Sequence, residues 1–298
     1  MTRSVTLLVN PSAGRGRALG LVARVGGTLR DAGLQVRTLL SRDYAEAELM
    51  AAEAVREGVD ILAVMGGDGM MHLGANAVAR QHRHGVGRTV LGLIPAGTGN
   101  DLCRGVGLDP DEPMAAAEVI ASGVSRRIDL VKVNDRYVGA VLATGFDALV
   151  NARTNAMSWP KGNARYVVAT LAELRVFSPL RYRLTVDGVV QEFEAMLVAI
   201  GNTTSYGGGM RICPDADPAD GLLDVTIIHP VRRAKLLQLL PQMYSGRFAR
   251  DPCVERLQAR EIEVEGAGLV GYGDGERIAS APMQVSVVAA AVPVFAPG

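Results

Sequence analysis

Glycine, which bares a backbone amide, and aspartate, which supplies a hard oxygen, mark five loops of this sequence and fall together in four of them. "NPSAGRG" (10–16), "GGDG" (66–69) and "PAGTGND" (95–101) each follow an apolar run. Glycine lets backbone N–H groups approach an oxygen anion, and helix amino termini favour negative charge, so phosphate is the natural guest of such loops. "CPDADPADGLLDV" (213–225) places Asp215, Asp217, Asp220 and Asp224 within ten residues. Carboxylates joined by backbone carbonyls are what a hard cation such as Mg²⁺ takes, although the spacing is not that of an EF-hand and a polar hairpin loop is the plainer reading. "GYGDGE" (271–276) sets Asp274 and Glu276 among glycines. It reads either as an Asp-Gly turn between strands or as an exposed base that takes a proton from an alcohol during phosphoryl transfer.

Other chemistries find little support. No GxxxxGK[ST] occurs, and "GRGRALG" (14–20) is one residue off GxGxxG, so hydride transfer on a dinucleotide fold is poorly supported. No GxSxG elbow is present. The three cysteines, Cys103, Cys213 and Cys253, are far apart and odd in number, which argues against a disulfide framework or zinc site and fits a reducing compartment. None of the four histidines, His72, His82, His84 and His229, has metal-site spacing. The 31 basic and 31 acidic residues cancel, which excludes the basic footprint of a nucleic-acid binder. "MTRSVTLLVN" has too short an apolar run for a signal peptide. No stretch reaches the roughly 18–20 apolar residues of a membrane span, so any membrane contact is expected to be peripheral.

The elements that must position these loops follow from the apolar pattern. Hydrophobic residues are 48% of the 298 and aromatics only 4%, enough for a large aliphatic core and, by length, two domains. In the first 130 residues apolar strands ("SVTLLVN", "LQVRTLL", "VDILAVM", "TVLGLIP") alternate with helical spacing such as Ala18, Leu21, Val22, Val25 and Leu29. Asp43–Glu46 matches a capping box for a helix to about Arg56, and "PMAAAEVIASG" is a helix opened by Pro113 and closed by Gly123. This alternation predicts a parallel sheet with both faces covered, and in such a sheet the three loops converge at the carboxyl ends of the strands. After about Asp129 the pattern changes to β-hairpins, with turn signals at Asn134-Asp135 and Asp187-Gly188. Helical pattern returns only near 164–177 and 232–244. The last strand, near Met283–Phe295, could join either half.

The loops, taken in order as "NPSAGRG", "GGDG", "PAGTGND", "DGLLDV" and "DGE", resemble the diacylglycerol kinase catalytic-domain superfamily, and within it the soluble bacterial lipid kinases of the DgkB/YegS type. GGDG alone is shared with NAD kinases and phosphofructokinase-like enzymes; the full set is far more specific. The resemblance implies an α/β N-terminal domain with a parallel sheet (NAD kinase/diacylglycerol kinase-like) plus a β-rich antiparallel C-terminal domain, and a site in the cleft between them. It assigns 1–129 with 283–298 to the nucleotide-binding domain and 130–282 to the second. It further implies ATP contacts from Asn10, Pro11, Ser12, Ala13, Gly14, Ser41, Gly66, Gly67, Asp68, Gly69, Met70, Met71, His72 and Thr98. Asp68, Asp101 and Asp129 match a network that holds catalytic Mg²⁺ through water. Asp217, Asp220 and the Leu222 carbonyl match a separate structural Mg²⁺ site, and Asp274 matches the general base, with Glu276 beside it. Met70-Met71-His72 stands where the family usually has Thr-Ile/Leu-Asn, so a hydroxyl and an amide are lost there.

The expected activity is therefore ATP- and Mg²⁺-dependent phosphorylation of a lipid hydroxyl, diacylglycerol first. The alternatives are another hydroxyl acceptor (a sphingoid base, another lipid or NAD) and a nucleotide-gated lipid-binding regulatory protein. The implied setting is cytoplasmic, at a membrane surface and without a transmembrane segment. A homodimer is common among relatives. Apolar runs at Val141–Leu149 and Ala164–Phe177 are candidate lipid linings. Trp159, Phe177 and Pro179, with Arg175, Arg181 and Arg183, are candidate bilayer contacts.

Overall fold

The structure, a computed structural model, describes residues 2–83, 87–157, 168–169, 172–173 and 177–298. His84, Trp159, Arg175 and most of the 164–177 pattern lie outside the described residues. The chain divides into two compact units, one of 1–130, 218–220 and 288–298, the other of 131–217 and 221–287. The division falls inside the last strand, and three residues of the acidic loop group with the first unit.

The first unit is α/β. Its strands β1 (Ser4–Val9), β2 (Gln35–Leu40), β3 (Ile61–Gly66) and β4 (Val90–Pro95) lie in the order β2-β1-β3-β4, all parallel, with Val5 opposite both Val36 and Ile61 and Ile61 opposite Val90. Between them run α1 (Arg17–Asp31), α2 (Tyr44–Arg56) and α3 (Asp68–Arg83); β4 leads into the short α4 (Asp101–Gly105) and then α5 (Pro113–Ser122). The continuous apolar runs are the buried inner strands, and Leu7, Ile61, Leu62 and Leu93 are fully enclosed. Asp43 caps α2 by accepting the Glu46 amide at 2.8 Å. The reciprocal half of the box is shifted by one residue, because the Glu46 carboxylate takes the Arg42 amide at 2.6 Å. Gly123, at φ 78°, ends α5. The segment "AGTGNDLCRGVG" that follows β4 contains α4.

The second unit is β-rich and antiparallel. Six strands, in the order β12 (Val254–Ala259), β11 (Leu223–Ile228), β10 (Leu197–Gly201), β7 (Val141–Gly145), β14 (Val270–Gly273) and β15 (Glu276–Ser280), form one sheet. The other side is built by β8 (Leu180–Val186), β9 (Val189–Ala195) and β13 (Glu261–Glu265), with β13 pairing to the start of β16 (Met283–Phe295) through Val264 and Met283. Both turn signals make hairpins. β5 (Ser125–Val133) turns at Asn134-Asp135 into β6 (Arg136–Val138), and β8 turns into β9 at Asp187-Gly188, whose φ values of 45° and 87° suit the right-handed twist of the strands.

The strand period of two sorts side chains between two cores. Leu142, Val198 and Ile200 point into the layer shared with Leu184, Ile262 and Val285. Their neighbours Val141, Ala143, Leu197 and Ala199 point the other way, onto α6 (Phe146–Ala156) and α7 (Arg233–Met243) through Phe146, Leu236, Leu239 and Met243. Phe177, expected as a bilayer contact, is buried in this second core, edge-on to Phe146 at 5.3 Å. A phenyl ring gains more from that enclosure than from the surface.

Truncation of Leu7, wholly buried in the central strand β1, tests the first unit's core. Leu7→Ala is expected to cost about 2–5 kcal/mol, read as a lower urea midpoint with circular dichroism at 25 °C otherwise unchanged.

Candidate functional site

Within the first unit the three glycine loops meet at the carboxyl ends of β1, β3 and β4, joined by backbone bonds. The Asn10 amide donates to the Met65 carbonyl at 3.0 Å, and the Ala96 amide donates to the Gly66 carbonyl at 2.8 Å. Ser41, at the end of β2, is buried beside them; its amide donates to the Val9 carbonyl at 3.0 Å and its hydroxyl reaches the same oxygen at 3.3 Å. Asn10 shapes the first loop by accepting both the Ser12 amide (3.0 Å) and the Ser12 hydroxyl (2.7 Å). Pro11 and Ala13 are half-buried and Ser12 is exposed. Gly14, at φ 59°, lies so close to the third loop that a Cβ would stand 2.4 Å from the Ala96 oxygen.

The second and third loops are locked to one another. A Cβ on Gly97 would lie 2.3 Å from the Gly67 Cα, and one on Gly99 would lie 2.2 Å from an Asp68 oxygen. That space is closed because Asp68 accepts the Asn100 amide at 3.0 Å and the Asp101 amide at 2.7 Å, one on each oxygen. Gly67 and Gly69 are half-buried, and Thr98, at the tip of the third loop, is exposed. Asp101 is buried within 3.8 Å of Arg104 Nε. Asp129 is buried on β5, where its carboxylate takes the Ala290 amide at 2.6 Å and its own amide donates to the Pro218 carbonyl at 2.6 Å.

The side chains of Met70, Met71 and His72 turn inward. All three are buried; Met71 sulfur meets the Cys103 thiol at 3.6 Å, and His72 pairs with Asn76, whose amide lies 3.4 Å from the imidazole. The Met70 and Met71 amides donate to the Gly67 carbonyl, at 2.9 and 3.2 Å. The departure from the family pattern at these positions is thus absorbed by the core.

In the second unit Asp274 and Gly275 form the β14–β15 turn, both with positive φ (52° and 83°). The Asp274 carboxylate is held by two amides, Gly139 at 2.8 Å and Ala140 at 2.9 Å. Buried Asn202 supports that segment, its side chain donating to the Gly139 carbonyl at 3.0 Å and its amide to the Ala140 carbonyl at 2.8 Å. Glu276 opens β15 and is half-buried. In the acidic loop, Asp217 and Asp220 are exposed and Leu222 directly precedes β11, whereas Asp215 pairs with Arg256 and Asp224 accepts from Gln258 at 3.2 Å. Among the described residues, no three His, Cys, Asp or Glu side chains are grouped so as to hold a metal ion directly. The donor type of Asp217, Asp220 and the Leu222 carbonyl, oxygen throughout, still fits a hard cation completed by water.

Two positions that the residue pattern did not single out hold this arrangement. Asn100, buried at φ 58°, accepts the Gly97 amide at 3.1 Å and donates to the Gly97 and Pro110 carbonyls at 3.2 and 2.9 Å. Its signal was available, since asparagine tolerates the left-handed region that a tight loop needs. Asn202 had no local signal. The three cysteines are free thiols; burial pushes Cys213 up to about 12 and Cys253 up to about 11, so neither is a ready nucleophile. A cavity of about 470 Å³ opens away from the glycine loops, at the amino-terminal ends of β1 and β2, lined by Ser4, Gln35, Arg37, Glu57 and Arg88. It is shallow and its arginines are engaged by Glu57 and the Gly58 carbonyl, so the chemistry stays with the loops.

Comparison with known proteins finds two family matches along the chain. Residues 4–133 match the diacylglycerol kinase catalytic domain, and residues 140–296 match the YegS C-terminal NAD kinase beta sandwich-like domain. The chain is 40% identical over 304 residues to the "Diacylglycerol kinase" of Mycobacterium tuberculosis (strain CDC 1551 / Oshkosh), covering 98% of this chain and 95% of that protein. It is 30% identical over 239 residues to the "Probable lipid kinase YegS-like" of Xanthomonas oryzae pv. oryzae (strain MAFF 311018), covering 78% and 76%. In fold it is similar to a crystal structure of a diacylglycerol kinase from Bacillus anthracis str. Sterne, with TM-score 0.77 at 22% identity over 99% of this chain and 97% of that one.

The Asp68 lock has a consequence independent of catalysis. Asp68→Ala leaves the Asn100 and Asp101 amides without their acceptor, which is expected to cost about 1–3 kcal/mol. Urea denaturation without nucleotide measures it, and an unchanged midpoint would show that the carboxylate does not hold the loops.

Proposed function

The chain belongs to the diacylglycerol kinase family that joins a diacylglycerol kinase catalytic domain to a YegS-type C-terminal domain, and on that premise we propose that it is an ATP- and Mg²⁺-dependent lipid kinase, diacylglycerol being the acceptor and phosphatidic acid the product. The observation that carries this reading is the glycine floor of the first unit, where Gly14 and Gly97 lie so close to a neighbouring loop that neither leaves room for a Cβ at the strand ends. Backbone bared in this way suits phosphate oxygens, which accept from N–H groups and which side chains would hold off.

Nucleotide binding belongs to 1–129 with 283–298, through the Asn10–Gly14 loop, Ser41, Gly66–His72 and Thr98. Buried as they are, Met70, Met71 and His72 act by packing the helix that follows the loop. Bound Mg²⁺ would neutralise phosphate charge, with Asp68, Asp101 and Asp129 holding its waters and with Asp217, Asp220 and the Leu222 carbonyl serving a structural ion. Asp274, with Glu276 beside it, takes the proton of the acceptor hydroxyl as its oxygen attacks the γ-phosphorus of ATP. The O–P bond forms, the bond to ADP breaks, and the proton rests on the carboxylate. The Gly139 and Ala140 amides fix the direction of that carboxylate before the acceptor arrives. The setting we propose is cytoplasmic, at a membrane surface and as a homodimer. No helix among the described residues is long and apolar enough to cross a membrane.

Mg²⁺-dependent transfer from labelled ATP to diacylglycerol in mixed micelles tests the reading. Labelled phosphatidic acid is expected from the wild type. Loss of the base in Asp274→Asn is expected to lower kcat by about 10²–10⁴-fold with ATP binding intact. Near-wild-type kcat in that variant would remove Asp274 from its role. Product from a sphingoid base or NAD in place of diacylglycerol would reassign the acceptor.

A further inference from the structure

The charge that cancels over the whole chain does not cancel locally. Pro230–Arg250 carries Arg232, Arg233, Lys235, Arg247 and Arg250 and no acidic residue. The segment folds as α7 followed by a single helical turn, Arg247–Arg250. Leu236, Leu239 and Met243, spaced three and four apart, fix one face of α7 in the core, and wholly buried Phe248 fixes the turn. Beside that face the helical period leaves an outward stripe of Arg233, Leu237 and Tyr244, four and seven residues apart, with Leu237 41% and Tyr244 55% exposed. Arg232, Arg247 and Arg250 are exposed at its two ends.

Ion pairing separates these arginines from the basic residues singled out in the sequence. Arg181 is paired with Glu194 (3.4 Å), and Arg183 with Glu192 (3.5 Å) and Glu265 (2.8 Å), so both arginines of β8 are engaged. On the α7 segment Lys235 is neutralised by Asp251. Arg232, Arg233, Arg247 and Arg250 form no ion pair with any described residue.

We infer that the exposed face of Arg232–Arg250 is the surface by which the protein lies on an anionic bilayer, its arginines on lipid phosphates and Leu237 and Tyr244 at the acyl boundary. This rests on the lipid-kinase reading, in which the acceptor must be met at a membrane. Unpaired cations alone would suit any polyanion. The apolar stripe between them is the pattern of interfacial helices, whose binding sums buried apolar area and attraction to anionic lipid. A helix bedded in a folded unit also loses no ordering entropy on contact, unlike a free amphipathic peptide.

The test is co-sedimentation with phosphatidylcholine vesicles, with and without phosphatidylglycerol, at low and high salt. The wild type is expected on the anionic vesicles only, and salt should release it. Each arginine near such a surface is worth roughly fivefold in binding, so Arg232→Glu with Arg233→Glu is expected to weaken it by more than about 25-fold. Leu237→Ser with Tyr244→Ser should weaken it without changing the salt slope, and Arg181→Glu should leave it alone. If the charge-reversed protein does not fold, Arg232→Gln with Arg233→Gln carries the same test. Wild-type binding that ignores all these changes overturns the proposal. So does capture by heparin but not by vesicles, which would make the face a site for an acidic polymer. Activity on a short-chain diacylglycerol in solution keeps the two readings apart. If the variants retain it, a failed vesicle test counts against the surface alone; if the wild type lacks it as well, the kinase reading fails.

Discussion

The first unit is organised around a contact between two backbones. Gly67 and Gly97 approach so closely that no Cβ fits on Gly97, and Asp68 closes the contact by taking two amides of the facing loop. A carboxylate bonded to backbone N–H groups is stronger than a neutral acceptor and aims both loops at once. Everything else at that sheet edge is placed relative to this lock. The third loop can turn only because Asn100 accepts a left-handed conformation and ties Gly97 and Pro110 together. The first loop can lie down only because Gly14 leaves room for the Ala96 oxygen. Loops in backbone contact stay rigid when their side chains are tied down by hydrogen bonds, as those of Asp68 and Asn100 are.

The second unit solves a different problem. Its six-stranded sheet has apolar side chains on both faces, so each face needs a cover: one is given strands and the other helices. The result is a stiff frame, and Asp274 sits on a two-residue turn of it, with its carboxylate tied by Gly139 and Ala140. A carboxylate held by two amides keeps its direction without reorganisation. Asn202, buried behind, carries the orientation one layer deeper.

Charge is used locally in this protein. A formal net charge of zero conceals ladders in which arginine meets glutamate across strands, as on β8, β9 and β13, and a helical segment, Arg232–Arg250, whose arginines form no ion pair with any described residue. Charged ladders keep exposed sheet surface soluble and discourage edge pairing. The unneutralised stretch is what remains available to a partner.

Much of this was fixed by sequence alone. Apolar runs of strand length alternating with helical spacing dictated a parallel sheet, because only helices on both faces can bury such strands. Asp43, Gly123 and the Asp187-Gly188 turn announced element ends through local hydrogen bonding and positive φ, which depend on a few adjacent residues. The five loops rich in glycine or aspartate were legible for the same reason, as local clusters of residue type. Tertiary structure decided what depends on residues distant in sequence. It turned Met70, Met71 and His72 inward and buried Phe177 against Phe146. It gave Asp68 two amides from a loop more than thirty residues away and drew Asn202 under the Asp274 turn. It also chose which arginines meet a glutamate. A sequence window sees periodicity and caps; it does not see which strands become neighbours, and those neighbours determine burial, hydrogen-bond partners and the charges left unpaired.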